Sequence, residues 1–301
     1  LTSTNAQSLS TQQLAALTTS QIAALSVTNL SALDATQVGA LTTTQTKALT
    51  ATQLTGLDAA DVAEFSTTHI SNFANTQLLA LTSTNMAALS ETQIAAISAP
   101  GVKALTATNF AAFAETQLGA LTTTQVSSLT NTQLQALNPT KLASFTATQL
   151  GALTTSQVSG ISTTNLSALD ATQFDAFRTT QLQTLSTTQL NGLSTTDISE
   201  LTTTQIGLLT TAQVRGLSTT NIGALSDTQV LALTTTQLAA FSNTNLSALD
   251  STQVGQLTTT QVRSLTASHI TALDATDIAE FTTDQLGALT ATQAQALTST
   301  N

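Results

Sequence analysis

Few residues in this chain have types or spacings that could do chemistry. His69 and His269 are the only imidazoles, and cysteine is absent. A general base or a zinc site needs convergent partners, and neither histidine has another close in sequence. Both stand where the surrounding pattern has glutamine, so they read as replacements for it. The sets Asp58, Asp61, Glu64 and Asp274, Asp277, Glu280 place carboxylates at i, i+3 and i+6. Such oxygens suit a hard cation, yet the Asp-x-Asp-x-Asp-Gly turn of a calcium loop is missing. Helix capping accounts for them more simply, with a weak surface calcium site as the alternative. Glycine-rich phosphate loops are absent, and serine, although abundant, has no nearby histidine to activate it. The sequence therefore predicts no catalytic residue, no cofactor and no resident metal. It reads as a non-enzyme.

What positions these residues is a repeat. From Leu1 to Leu297 every eighth residue is large and apolar, giving 38 positions, of which 29 are Leu, seven Phe and two Ile. No insertion or deletion interrupts the 301 residues, which hold 37 complete octads and a five-residue remainder. The consensus is Leu, Ser/Thr, x, Thr, Gln/Asn, Leu/Ile/Val, x, Ala, as in Leu233 to Ala240. Position 6 is large and apolar in 34 of 37 octads, the exceptions being Ala6, Thr46 and Ala294. A register kept this strictly means that each octad occupies an equivalent structural site.

The apolar residues are spaced five and three apart, so the alternation of a half-buried strand is missing. Position 2 is Ser, Thr, Asp or Asn in 35 of 38 octads, and position 5 is Gln in 23. Ser or Thr followed three residues later by Gln is a capping box, in which each side chain bonds the other residue's backbone N–H. Asp34, Asp58, Asp170, Asp250 and Asp274 at position 2 cap equally well and favour the positive end of a helix. Pro139 falls at a first helical position and Pro100 one residue deeper, both inside a first turn. A helix over positions 3 to 8 is too short to persist alone, so stacking must supply its stability. The expected fold is an all-α solenoid with one short capped helix per octad. A β-solenoid is the alternative, weakened by Ala and Gly at positions 7 and 8. Eleven of twelve glycines lie at those two positions, which predicts close approach of neighbouring helices.

Asn replaces Gln at position 5 in eight octads, and the intervals between them are always three or seven octads. That spacing predicts about 3.3 octads, or ~27 residues, per superhelical turn. The five Asp caps then fall on one side, with Lys47, Lys103, Arg178, Arg215 and Arg263 on the other; Lys141 is an exception. About 11 turns stacked ~10 Å apart would make a rod on the order of 100 Å long. One continuous solenoid over 1–301 is expected, without domain boundaries.

Composition narrows the function. Charged residues make up 7% and the net charge is −10, a balance that repels nucleic acid and anionic membrane. No apolar run reaches the ~18–20 residues of a membrane span. Threonine dominates the polar surface, often as Thr-Thr-Thr at positions 2 to 4 (42–44, 122–124, 202–204, 234–236, 258–260). Capping and solvation explain this array; a glycan-contacting or ice-binding surface is the alternative.

The Leu-Thr-Thr-Thr-Gln-Ile-x-Ala-Leu phrasing resembles the repeat regions of very large, acidic, cysteine-free bacterial surface proteins of the repetitive adhesin and filament kind. The calcium-binding Gly-Gly-x-Gly-x-Asp nonapeptides of many exported proteins are missing. The resemblance covers the whole chain and implies an extracellular stalk, spacer or fibre, with any binding domain elsewhere in a longer protein. The terminal octads, Leu1 to Ser8 and Leu289 to Ala296, look like interior ones, so the chain reads as a slice of such a protein. Self-association, end to end through apolar faces or sideways through opposite charges, is the expected partnership.

Overall fold

A computed structural model describes residues 2–298; Leu1 and Asn301, read above as position-1 and position-5 residues, lie outside them, as do Ser299 and Thr300. The described chain folds into 37 short α-helices, α1 (Ser3–Gln7) to α37 (Ala291–Gln295), each four to six residues long, and no strand occurs among the described residues. One helix forms per octad, from position 3 to position 6, 7 or 8. The solenoid of short helices is thus as expected, and the β alternative is excluded.

Local chemistry sets both ends of each helix. Position 2 is extended, as at Thr42 (φ −72°, ψ 158°), and its hydroxyl accepts the position-5 N–H, here Gln45 N at 3.2 Å. Gln45 Oε1 in turn accepts the Thr42 N–H at 2.8 Å, which completes the capping box. All five Asp residues expected as N-caps occupy that site. Pro139 opens α18 (Pro139–Ala143), and Pro100 is the second residue of α13 (Ala99–Ala104). Ala74, Ala114 and Arg178 offer no cap oxygen, yet Gln77, Gln117 and Gln181 still take the N-cap N–H at 2.9, 2.7 and 2.7 Å. Helices then stop because position 1 returns to an extended conformation, as at Leu105 (φ −57°, ψ 143°). No described residue needs a positive φ.

Contacts divide the chain into two compact units, Leu1–Gly160 and Ile161–Asn301. Within each, most helices pack on the helices three before and three after them in the chain. In the first unit α13 packs on α16 (Thr123–Ser128); in the second α26 (Thr203–Leu208) packs on α29 (Asp227–Ala232). The core is formed by positions 1 and 6: Leu118, Phe113 and Phe145 are fully buried, as are Val214 and Leu238 in the second unit. Burying one such side chain contributes about 1.5–3 kcal/mol, and the repeat renews that contribution every octad. Phenylalanines meet edge to face inside the stack, at centroid distances of 5.3 Å for Phe65–Phe73 and 5.2 Å for Phe174–Phe177. Thr46, a polar exception at position 6, is fully buried and donates its hydroxyl to Thr42 O at 2.9 Å.

The glycines separate into two groups. At position 8, a Cβ on Gly192 would lie 2.6 Å from Thr163, and one on Gly216 would lie 2.4 Å from Thr187. In both cases a threonine from an earlier turn fills the space, so only glycine fits. The position-7 glycines Gly39, Gly255 and Gly287 have nothing within 4 Å. The expected close approach therefore holds against side chains at position 8 and against backbone at the position-7 glycines Gly119, Gly207 and Gly223, where a Cβ would lie 3.5–3.6 Å from a carbonyl oxygen of Ser144, Ala232 and Ala248, and it fails at Gly39, Gly255 and Gly287.

Candidate functional site

The most elaborated arrangement in the structure is the row of position-5 side chains. The capping box uses only the oxygen of each glutamine, and the amide nitrogen reaches across to the preceding turn. Gln149 Nε2 donates to Leu118 O at 2.9 Å, Gly119 O at 3.1 Å and Leu121 O at 2.7 Å. Gln213 Nε2 donates to Leu182 O and Leu185 O, both at 2.8 Å. These two acceptors lie 31 and 28 residues back in the chain. One helix ends there and the next begins: the position-6 carbonyl also takes the next position-1 N–H, as Leu182 O does from Leu185 N at 3.1 Å, while Leu185 O, beyond the helix, takes its hydrogen from the glutamine. The same contact recurs at Gln45, Gln53, Gln77, Gln125 and Gln157 in the first unit and at Gln237, Gln285 and Gln293 in the second. A second cross-turn contact spans 25 residues, from Asn191 Nδ2 to Gly216 O at 2.8 Å and from Arg263 Nε to Ala288 O at 2.9 Å. These separations bracket the ~27 residues per turn expected from the asparagine intervals.

These amides are buried: Gln133 is 1% exposed and Gln213 4%. A buried amide is tolerable only when its donors and acceptors are matched. Here they are, and each rung fastens two turns as well as capping its own helix.

His69 and His269 occupy rungs, as the pattern suggested. His269 Nδ1 accepts the Thr266 N–H at 3.2 Å and Nε2 lies 2.9 Å from Phe241 O. His69 does likewise with Ser66 N at 3.4 Å and Leu41 O at 2.8 Å. This geometry calls for the neutral ring with its hydrogen on Nε2, reproducing the oxygen and nitrogen of glutamine. The two rings belong to different units. Lys141, at the same position, sends Nζ to Ala111 O.

The acidic sets are caps and more. Asp58 Oδ1 accepts the Asp61 N–H at 2.9 Å, and Asp61 Oδ2 accepts the Asp58 N–H at 3.0 Å. Glu64 follows at the helix C-terminus; burial holds its carboxyl above the ordinary value, helped by the charges of Asp61, Asp34 and Asp58. Its Oε2 is buried without a hydrogen-bond partner. Glu280 repeats the arrangement in the second unit, raised by burial and then by Asp277, Asp250 and Asp274.

The threonine triplets face outward. Thr203, Thr204, Thr235 and Thr236 are exposed; position-2 hydroxyls are taken up by caps, as at Thr202 and Thr234. Depressions between turns are open grooves. One, of about 440 Å³, lies between Ser90 and Thr116; another, of about 500 Å³, runs from Arg215 past Ser242 to His269.

Residues 208–235 match a family model described as the ALTTAQ repeat. No curated protein matches the chain. No described helix is long and apolar enough to cross a membrane. The chain is a tandem-repeat helical solenoid, and the match marks a repetitive structural segment.

Proposed function

We propose that the chain is a rod- or fibre-forming structural segment of an extracellular bacterial surface protein, acting as a stalk, spacer or filament in adhesion or biofilm. The observation that carries this reading is the rung set at position 5. Most octads are fastened by buried side-chain amides to the turn before them, so each added octad of that kind brings its own stability. Length becomes a free variable, which is what a spacer requires. The low charge and the outward threonines suit a surface that stays hydrated. Its partners are further copies of the same chain or other matrix components. Sparse opposite charges on different helices favour lateral contacts worth at most ~1 kcal/mol each, which salt weakens.

Two experiments test the proposal. Antibodies against this segment should label intact cells of the producing organism without permeabilisation; labelling only after permeabilisation overturns the location. Negative-stain images of the purified chain should show elongated particles whose bundling falls as salt rises. Compact globules at every salt concentration contradict the structural role. Solvent-facing hydroxyls at positions 3 and 4 favour one second reading, a glycan- or ice-contacting surface, and glycan-array binding or thermal hysteresis by the purified chain would establish it.

A further inference from the structure

Three octads carry aspartate at position 5: Asp61, Asp197 and Asp277. Each stands four octads after an asparagine that opens Asn-Leu-Ser-Ala-Leu-Asp (29–34, 165–170, 245–250), and that hexapeptide occurs nowhere else in the chain. Aspartate keeps half of the rung chemistry. Asp197 Oδ2 accepts the Ser194 N–H at 2.7 Å, and Asp277 Oδ2 accepts the Asp274 N–H at 3.0 Å. An ionised carboxylate has no hydrogen for the other half. The carbonyls of Leu33, Leu169 and Leu249 stand to the three aspartates as Leu121 O stands to Gln149. Among the described residues none donates to them. The cross-turn bond runs the opposite way instead, from Ser167 Oγ to Asp197 Oδ2 and from Ser247 Oγ to Asp277 Oδ2 at 2.9 Å.

Side-chain length is not the obstacle. Asn85 has the same reach, and it accepts the Thr82 N–H at 2.9 Å while donating to Leu57 O at 3.1 Å. Asn109 donates to Leu81 O at 2.9 Å. What aspartate lacks is the donor.

Packing marks the same places independently. Within each unit, the thinnest packing between helices three apart falls at four places. Three of the four are the aspartate turns: α5 (Ala35–Gly39) with α8 (Ala59–Ala63), α22 (Ala171–Asp175) with α25 (Thr195–Glu200), and α32 (Ser251–Gln256) with α35 (Ala275–Ala279). The fourth, α24 (Thr187–Asn191) with α27 (Thr211–Arg215), has a glutamine rung. Asp61, Asp197 and Asp277 are half-buried where the position-5 glutamines from Gln37 onward are buried, and at the first and third turns further carboxylates crowd in from Asp34, Asp58 and Glu64 and from Asp250, Asp274 and Glu280.

The geometry points to a built-in opening device: the three aspartate rungs are seams at which the solenoid parts first, because each replaces a two-way amide with an acceptor-only side chain. The chain is thereby divided into segments that yield in a set order under heat or load, while the glutamine turns between them hold.

Hydrogen–deuterium exchange with mass spectrometry on the full chain tests this. Amides of α22 and α25 should exchange faster than those of α26 and α29, whose rungs are Gln205 and Gln229. Asp197→Asn restores a donor and should slow exchange at that seam on the order of tenfold, the worth of about one hydrogen bond. Asp197→Ala removes the charge without restoring the donor and should not slow it. Gln229→Asp should open a new fast seam at α29. The proposal is overturned by equal exchange at the native seams, by an Asn variant that exchanges as fast as its parent or loses helicity, or by an Ala variant that slows as much as Asn.

Discussion

Replacing Gln213 by methionine keeps the length and bulk of the side chain and removes its polar atoms. Four hydrogen bonds go with them: the Thr210 N–H to Oε1 at 2.8 Å, the Thr210 hydroxyl to the same oxygen at 3.1 Å, and Nε2 to Leu182 O and to Leu185 O at 2.8 Å each. The hydroxyl can turn to solvent, so at a net ~1 kcal/mol for each of the other bonds the loss is about 3 kcal/mol. The Thr210 N–H, left against a thioether at a 4% exposed site, adds to it. Apolar burial of the methionine returns about 1 kcal/mol. The expected destabilisation is therefore about 2–4 kcal/mol, expressed locally because solenoid stability is a sum over neighbours. Urea unfolding followed by helical circular dichroism should show a lower midpoint for Gln213→Met, with exchange accelerated around residues 182–185 and 210–215. Gln213→Asn should lose only about 1 kcal/mol, since Asn85 at the same position keeps both ends of the rung, the Thr82 N–H at 2.9 Å and Leu57 O of the preceding turn at 3.1 Å. A methionine variant within ~0.5 kcal/mol of the parent refutes the claim that these amides fasten the turns.

Other expectations follow from the same contacts. Gly216→Val places carbon against Thr187, where even a Cβ would lie at 2.4 Å, and should cost about 1–3 kcal/mol in urea unfolding, whereas Gly255→Ala, with nothing within 4 Å, should gain about 0.5–1 kcal/mol. Glu64 and Glu280 have carboxyls raised in the folded chain, so the stability they contribute is present below the ordinary glutamate range and is lost as pH rises through the raised values. Melting the Glu64→Gln/Glu280→Gln double variant across a pH series should therefore show a flatter profile and a higher midpoint than the parent at neutral pH, with the difference vanishing in acid. Replacing Leu121, Leu129 and Leu137, each no more than 5% exposed, by Asp should abolish helical signal from that stretch of the first unit; an unchanged melting curve contradicts their inward placement.

Much of the fold was legible because each octad is its own local program. The period, the hydroxyl or carboxylate at position 2 and the glutamine three residues later determine where each helix starts, and the structure places Asp34, Asp170 and Pro139 where that program puts them. The length of the turn was also accessible, through the intervals between asparagines. The second duty of position 5 was not read, because its acceptors lie a full superhelical turn back in the chain and are brought near only by the superhelix. A signal for it exists. A capping box accepts glutamate as readily as glutamine, yet position 5 holds 23 Gln, eight Asn, two His and one Lys against three Asp, one Gly and no Glu. A site that excludes glutamate and carries a donor in 34 of 38 octads is one where a hydrogen is usually given as well as received. The clearance required at Gly192 and Gly216 was legible only in part. Position 7 and position 8 look alike in sequence, and which of them meets a side chain of the earlier turn depends on how far the superhelix rotates per octad.

The central claim is that side-chain amides at position 5 tie each turn to the one before it, as Gln213 ties to Leu182 and Leu185 at separations of 31 and 28 residues. Solution NMR on a chain isotopically labelled at these three residues tests it most directly. The Gln213 side-chain amide protons should exchange slowly with solvent and show nuclear Overhauser contacts to the backbone of Leu182 and Leu185. Rapidly exchanging amide protons without those contacts, or contacts to residues at other separations, would contradict it.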